Sequence, residues 1–171
     1  IYVRSQRAGQ RVRASITRVI TTTLKLKVNS AKSAVAPPGE RTFLGFSVTR
    51  TPDPRRRLAP STVTRCKARV RELTRRTRGV SLERRVQQLG TYLRGWHGYF
   101  GFCQTPSVLT HLDEWIRRRH RSAAWKQWKQ GRTRFAELRR RRVSPALAAT
   151  TAGSAHGPWR LSHSRALDLA L

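Results

Sequence analysis

The sequence has no methionine and begins on Ile1, so it is expected to start inside a longer reading frame. Acid is scarce: 8 Asp and Glu stand against 37 Lys and Arg in 171 residues. The eight are Glu40, Asp53, Glu72, Glu83, Asp113, Glu114, Glu137 and Asp168, and only Asp113 and Glu114 are adjacent. Neighbouring side chains diverge on a helix, so that pair makes a poor acid/base dyad or metal site. Cysteine is limited to Cys66 and Cys103, with no C-x-x-C and no histidine at ligand spacing. This argues against zinc and a disulfide framework, and for two buried thiols in a reducing compartment. No metal site is expected. There is neither an apolar run of roughly 18 residues nor a charged-then-apolar leader, so a membrane partner and a signal peptide are not expected, and the location read is cytoplasmic. No Gly-rich phosphate loop, nucleophile elbow or H-E-x-x-H occurs. The chain is not expected to be catalytic alone or to hold a cofactor.

What is present is positive charge. The formal net charge is +29, spread along the whole length, which calls for a polyanionic partner. Arginine supplies 31 of the cations and lysine 6. The planar guanidinium grips phosphate with two donors and stacks on bases, which favours nucleic acid over a membrane surface. A GC-rich genome would also raise arginine at the expense of lysine.

"IYVRS" alternates like a strand, and residues 6–23 carry Val12, Ile16, Val19 and Ile20 at helical spacing. "LKLKVN" alternates with period two, "KSAV" is a short extended run, "PPGE" signals a turn, and "RTFLGFSVTR" reads as a strand with Gly45 inside it. These make a small α+β piece with too few strands for a stable sheet of its own. "TPDPRRRLAP" is a proline-rich break, placing a boundary near residue 55, and the remainder is helical in pattern. The fold class is therefore mainly α, a small α+β remnant followed by a helical bundle.

From Ser61, the residues Val63, Cys66, Val70 and Leu73 step by three and four, with Arg65, Lys67, Arg69 and Arg71 largely on other faces. Gly79 ends that segment and Ser81 caps the next. There Leu82, Val86, Leu89, Leu93, Trp96, Phe100 and Cys103 form a stripe along about 33 Å of helix. Arg94, Gly98 and Gly101 lie off the stripe beside Arg84 and Gln87, where missing side chains would let a sugar-phosphate strand approach. Thr105-Pro106 opens another helix whose apolar face is Leu109, Leu112, Trp115 and Ile116. "RRRHR", residues 117–121, follows it. Then "AAWKQWK" interleaves Trp125 and Trp128 with Lys126 and Lys129. Two readings stay open there: core tryptophans under a solvated charged face, or base stacking beside phosphate-binding cations. "RFAELRRRRV" and "SPALAATTAG" read as short helices, the second opened by Ser144-Pro145, and Ser162 or Ser164 caps a last apolar helix.

The segments "LKLKVNSAKSAV", "RTFLGFSVTR", "SLERRVQQLGTYLRGWHGYF", "LDEWIRRRHRSAAWKQWK" and "GPWRLSHSRAL" follow one another in the order seen in bacterial group II intron-encoded reverse transcriptases, the maturases. The chain resembles that family over nearly its whole length. The resemblance implies that residues 1–55 are the end of the polymerase palm, 56–131 the thumb or maturase-specific X domain, and 132–171 a C-terminal DNA-binding-like region. Lys32 matches the palm lysine, and Phe43, Leu44, Gly45 and Phe46 match the primer-grip hairpin. The Tyr-Ala-Asp-Asp turn that carries the polymerase aspartates does not occur in the chain; Mg²⁺ is expected for the full-length polymerase. Ala31 stands where the family often has Glu, and Gly90 where a polar helix former is usual. A His-Asn-His endonuclease module with paired cysteines is missing, so second-strand DNA cleavage is not expected from this chain.

On this reading the protein binds group II intron RNA, assists its folding and splicing, and holds primer-template, with target DNA as a further partner. Arg65, Lys67, Arg69, Arg76, Arg78, Arg84 and Arg94 would contact phosphates, and Arg117, Arg118, Arg119, Arg121, Lys126 and Lys129 extend the basic surface. The rival expectations are a decayed fragment that binds nucleic acid nonspecifically, and an independent DNA-binding regulator.

Overall fold

Ser5 starts the first helix: its Oγ accepts from the Ala8 N–H at 3.2 Å, and α1 runs Gln6–Thr22. In the computed structural model, which describes residues 1–75 and 77–171, a 3₁₀ turn Pro38–Glu40 and two short strands follow, β1 Phe46–Val48 and β2 Arg56–Leu58. The other helices are α2 Pro60–Leu73, α3 Leu82–Phe100, α4 Pro106–Gln127, α5 Gly131–Arg140, α6 Pro145–Ala152, α7 Pro158–Leu161 and α8 Arg165–Ala170. The chain is thus mainly α, with one small antiparallel pair of strands among the described residues. It divides into two compact units, Ile1–Arg56 and Arg57–Leu171.

In the first unit the helix stands as expected and the strands are corrected. Residues 1–5 and 24–36 are not in strands, because alternation makes a strand only where a neighbour takes its backbone bonds, and none among the described residues lies alongside. Gly45 is not inside a strand but in a two-residue turn. Phe43 and Phe46 exchange N–H to O bonds of 2.8 and 2.9 Å, while Leu44 and Gly45 take φ of 50° and 81°. Two consecutive left-handed residues give the turn whose twist matches a hairpin. Gly9 is the only fully buried residue of α1, where an added Cβ would sit 2.5 Å from Val35 Cγ1. Ile16 and Val19 stay exposed.

The second unit begins within β2, a short strand in the stretch expected to be a proline-rich break, and then builds two apolar clusters. Pro60 supplies the first turn of α2 without an orphaned N–H, one residue earlier than the sequence suggests. Ser81 caps α3 as expected, its Oγ accepting from the Arg84 N–H at 3.2 Å. One cluster joins Cys66, Val70 and Leu73 of α2, Leu89 of α3 and Leu112 and Ile116 of α4, with Tyr92, Leu93, Trp96 and Trp115 half-buried at its edge. The other gathers Leu82, Ala124, Trp125, Trp128, Leu138, Val143, Ala148, Leu161, Ala166 and Leu167. Trp125 is 0% exposed and Trp128 5%, with ring centroids 6.1 Å apart. That decides between the two readings of "AAWKQWK": both tryptophans are core, and neither face is open to a base.

The α3 stripe also needs correction. Val86 is 49% exposed, and Arg85 is the buried residue, 2% exposed. The cause is that α3 serves both clusters. Leu82 packs in one and Leu89 in the other, and at the crossover the guanidinium turns inward to donate from Nη1 to Gln127 Oε1 at 3.3 Å.

His120 of α4 lies close to this charge. Its imidazole is pushed down to about 4, by burial first and then by the charges of Arg85, Arg121 and Arg141. Between the unfolded value of 6.5 and about 4, the unfolded chain binds a proton that the folded chain refuses, so stability is full above 6.5 and falls as pH drops toward 4. Replacing His120 by Gln is expected to shrink the loss between pH 7.5 and 4.5 by on the order of 2 kcal/mol, read from urea melts of both proteins. In the same melts at pH 7.5, Trp125→Ala should cost about 3–5 kcal/mol. Trp96→Ala, at the half-buried edge, should cost less than half of that; equal losses would show that Trp96 carries as much of the core as Trp125.

Candidate nucleic-acid interface

Where α2 and α3 meet there is a groove of about 510 Å³, lined by Arg69, Glu72 and Leu73 of α2, Arg78 beyond its end, and Gln87, Gln88, Thr91 and Tyr92 of α3. Arg69 is salt-bridged to Glu72 at 2.7 Å with both groups largely exposed, an attachment worth only about 0–1 kcal/mol that a phosphate can displace. Arg78 leans over the end of α2 and donates from Nη1 to Leu73 O at 3.1 Å. Tyr92, which lines the groove, shares a hydrogen bond with the buried Cys66; burial pushes the phenol up to about 12 and also raises the thiol. Both stay protonated near neutrality, and Cys66 behaves as a packing residue.

Arg84 and Arg94 are exposed along α3, and Arg94 reaches Thr91 Oγ1 at 3.5 Å. Gly98 has no atom within 4 Å of where a Cβ would stand, so the helix surface there is bare. Gly101 is different. An added Cβ would meet His97 O at 2.6 Å and the His97 ring at 2.8 Å, so this glycine closes the helix end rather than opening a face. Arg65 is exposed on α2, while Lys67, Arg71 and Arg119 stand over the Trp115 ring at 5.5, 5.3 and 5.9 Å. Arg76 lies outside the described residues.

The basic run on α4 is largely turned to structural use. Arg117 alone points outward, bonded to Asp113 Oδ2 at 2.8 Å. Arg118 stacks 3.8 Å over Trp159 and donates to Trp159 O and Ser162 Oγ, each at 3.4 Å. Arg119 donates to Thr74 Oγ1 at 3.3 Å. Arg121, whose side chain is 12% exposed, holds Ser162 O at 3.3 Å and pairs with Asp168. These three bind α4 to the end of α2 and to the segment around α7 and α8. Lys126 and Lys129 are exposed at the far end of the helix. Sequence reasoning missed Arg85 altogether, since a helical stripe read by hydropathy assigns its place to the adjacent valine.

In the first unit, Lys32 is exposed in a turn closed by its N–H on Asn29 Oδ1 at 3.1 Å. Phe43 and Leu44 project from the hairpin tip, 75% and 64% exposed. Among the described residues no group of three His, Cys, Asp or Glu could hold a metal ion. Among them, too, no helix is long and apolar enough to cross a membrane.

No curated protein matches the chain. Residues 63–142, which run from the second turn of α2 through α3, α4 and α5, match the family model described as group II intron, maturase-specific domain. The helices that form the groove are those the match covers, and the protein therefore carries a group II intron maturase-type region.

Proposed function

We propose that the helical unit is an RNA clamp that holds group II intron RNA against the α2–α3 groove and so assists its folding and splicing, while the RNA supplies the chemistry. The observation that carries this reading is the groove itself, where Arg69 and Arg78 stand with Gln87 and Thr91 and the one acidic lining residue, Glu72, is already paired with Arg69. Arg84 and Arg94 continue the basic surface along α3 beside the bare surface at Gly98. A backbone phosphate can approach a glycine face more closely than any other, and guanidinium groups on either side then fix its position.

On the same reading residues 1–55 are the end of a polymerase palm whose hairpin at Phe43 to Phe46 grips a primer, 56–131 are the thumb, and 132–171 touch DNA. The protein works in the cytoplasm on intron RNA and primer-template. Because the Tyr-Ala-Asp-Asp turn that carries the aspartates in that family does not occur in this chain, primer extension with Mg²⁺ should not exceed a no-protein control; measured incorporation would overturn the palm assignment.

Filter binding tests the clamp. Affinity for a group II intron RNA should fall with salt at a log-log slope of about −4 to −8, as expected when roughly six to ten phosphates are neutralised. Arg94→Ala should leave stability within about 0.5 kcal/mol and flatten that slope by about one. Gly98→Leu should fold, given the open space, and weaken binding by bulk. Equal affinity for an unrelated structured RNA of the same length would favour a fragment that binds nonspecifically.

A further inference from the structure

A second basic depression lies apart from the groove. A cavity of about 500 Å³ opens beside the start of α3, lined by Ser81, Arg85, Lys126, Gln127, Lys129 and Arg134 together with Gly79 and Val80, and no acidic residue lines it. Four cations thus face one space. The start of α3 is already served, since Ser81 Oγ takes the Arg84 N–H and the Glu83 carboxylate bonds to Ser81 and to its own backbone. What stays unmet is the buried guanidinium. Arg85 is 2% exposed, spends Nη1 on a neutral amide at 3.3 Å, and has no acceptor for Nε. Arg134 Nε is likewise buried without an acceptor, its guanidinium stacked 4.7 Å over the Trp125 ring.

A guanidinium taken out of water without a counter-charge is strongly unfavourable unless an anion joins it. Gln127 cannot be that anion, and its own amide is turned to Val80 O at 3.5 Å. The cavity is large enough for a phosphate and the sugar attached to it. Its donors come as two forked guanidiniums and two ammoniums, a set suited to tetrahedral oxyanions.

We propose that this cavity is a phosphate site, in which Arg85 forms the buried floor and Lys126, Lys129 and Arg134 the rim. The phosphate has two sources: one unit of an RNA backbone, or a free phosphorylated small molecule. The RNA source rests on the proposed clamp function; the phosphate site does not.

The test uses the full chain, melted with increasing inorganic phosphate against chloride at matched ionic strength. Saturable stabilisation by phosphate is expected in the unaltered protein. It should vanish in Lys129→Gln/Arg134→Gln and persist in Arg11→Gln/Arg18→Gln, a change of equal charge on exposed α1 positions. Arg85→Met should lose it too; if that variant does not fold, the rim pair decides. No preference for phosphate over chloride, or a response that survives the rim substitutions, overturns the site. Filter binding on the same proteins separates the sources. A salt slope flattened by about two in the rim variant assigns the site to RNA backbone, and unchanged RNA binding with phosphate response lost assigns it to a free phosphoanion. Phosphate binding by a protein that fails to bind intron RNA would sink the clamp and leave the site standing.

Discussion

Helix α4 has to belong to two cores at once, and the helical unit depends on how it does so. Its first half gives Leu112 and Ile116 to the cluster shared with α2 and α3, and its last turns give Ala124 and Trp125 to the cluster built with α5 to α8. Between them lie Arg118, Arg119, His120 and Arg121, polar residues in the middle of a helix that cannot turn away from both neighbours. Each finds a place in the junction. Arg118 and Arg121 fasten the segment around Ser162, and Arg119 reaches the end of α2. His120 stays neutral because its burial and the surrounding guanidiniums both disfavour a proton.

That junction changes what the large positive charge means. A net +29 invites the view of a chain coated in phosphate-binding cations, yet several guanidiniums are spent on aromatic rings and backbone carbonyls. Arg118 covers Trp159, Arg134 covers Trp125 and Arg141 covers Trp128. Arginine suits this better than lysine, because its flat, weakly hydrated group packs on a ring while its edge still donates. The surface left for a polyanion is therefore narrower than composition suggests, with exposed arginines on α1, α2, α3 and α5 and exposed lysines at the end of α4. Charge buried in this way also explains why a few donors, Arg85 Nε foremost, stand without an acceptor.

Much of this architecture was legible in the amino-acid order. Helix starts at Ser81, Thr105-Pro106 and Ser144-Pro145 stand where the sequence places them, the first by a hydroxyl cap and the other two by proline in the first turn, local chemistry that needs only three or four residues. The apolar steps of α2 and the first half of α4 survive for a related reason: each gives its apolar face to a single cluster, so one face is enough. Short alternating runs such as "LKLKVN" misled, because alternation describes a strand's faces without supplying the strand that must lie beside it.

Sequence by itself determined the helical class, the caps and the basic, weakly acidic character, all set by residues close together or by simple totals. Tertiary structure alone decided which of the charged residues are surface. Val86 and Arg85 are neighbours, and hydropathy ranks the valine as core. The crossing of α3 between two clusters reverses them, because the position facing the junction is fixed by the helices on either side and by the one acceptor, Gln127, that lies 42 residues away. The same holds for Trp125 and Trp128. A tryptophan between lysines is compatible with a stacking platform or a core, and only α5, α6 and α8 folding over the end of α4 make it a core.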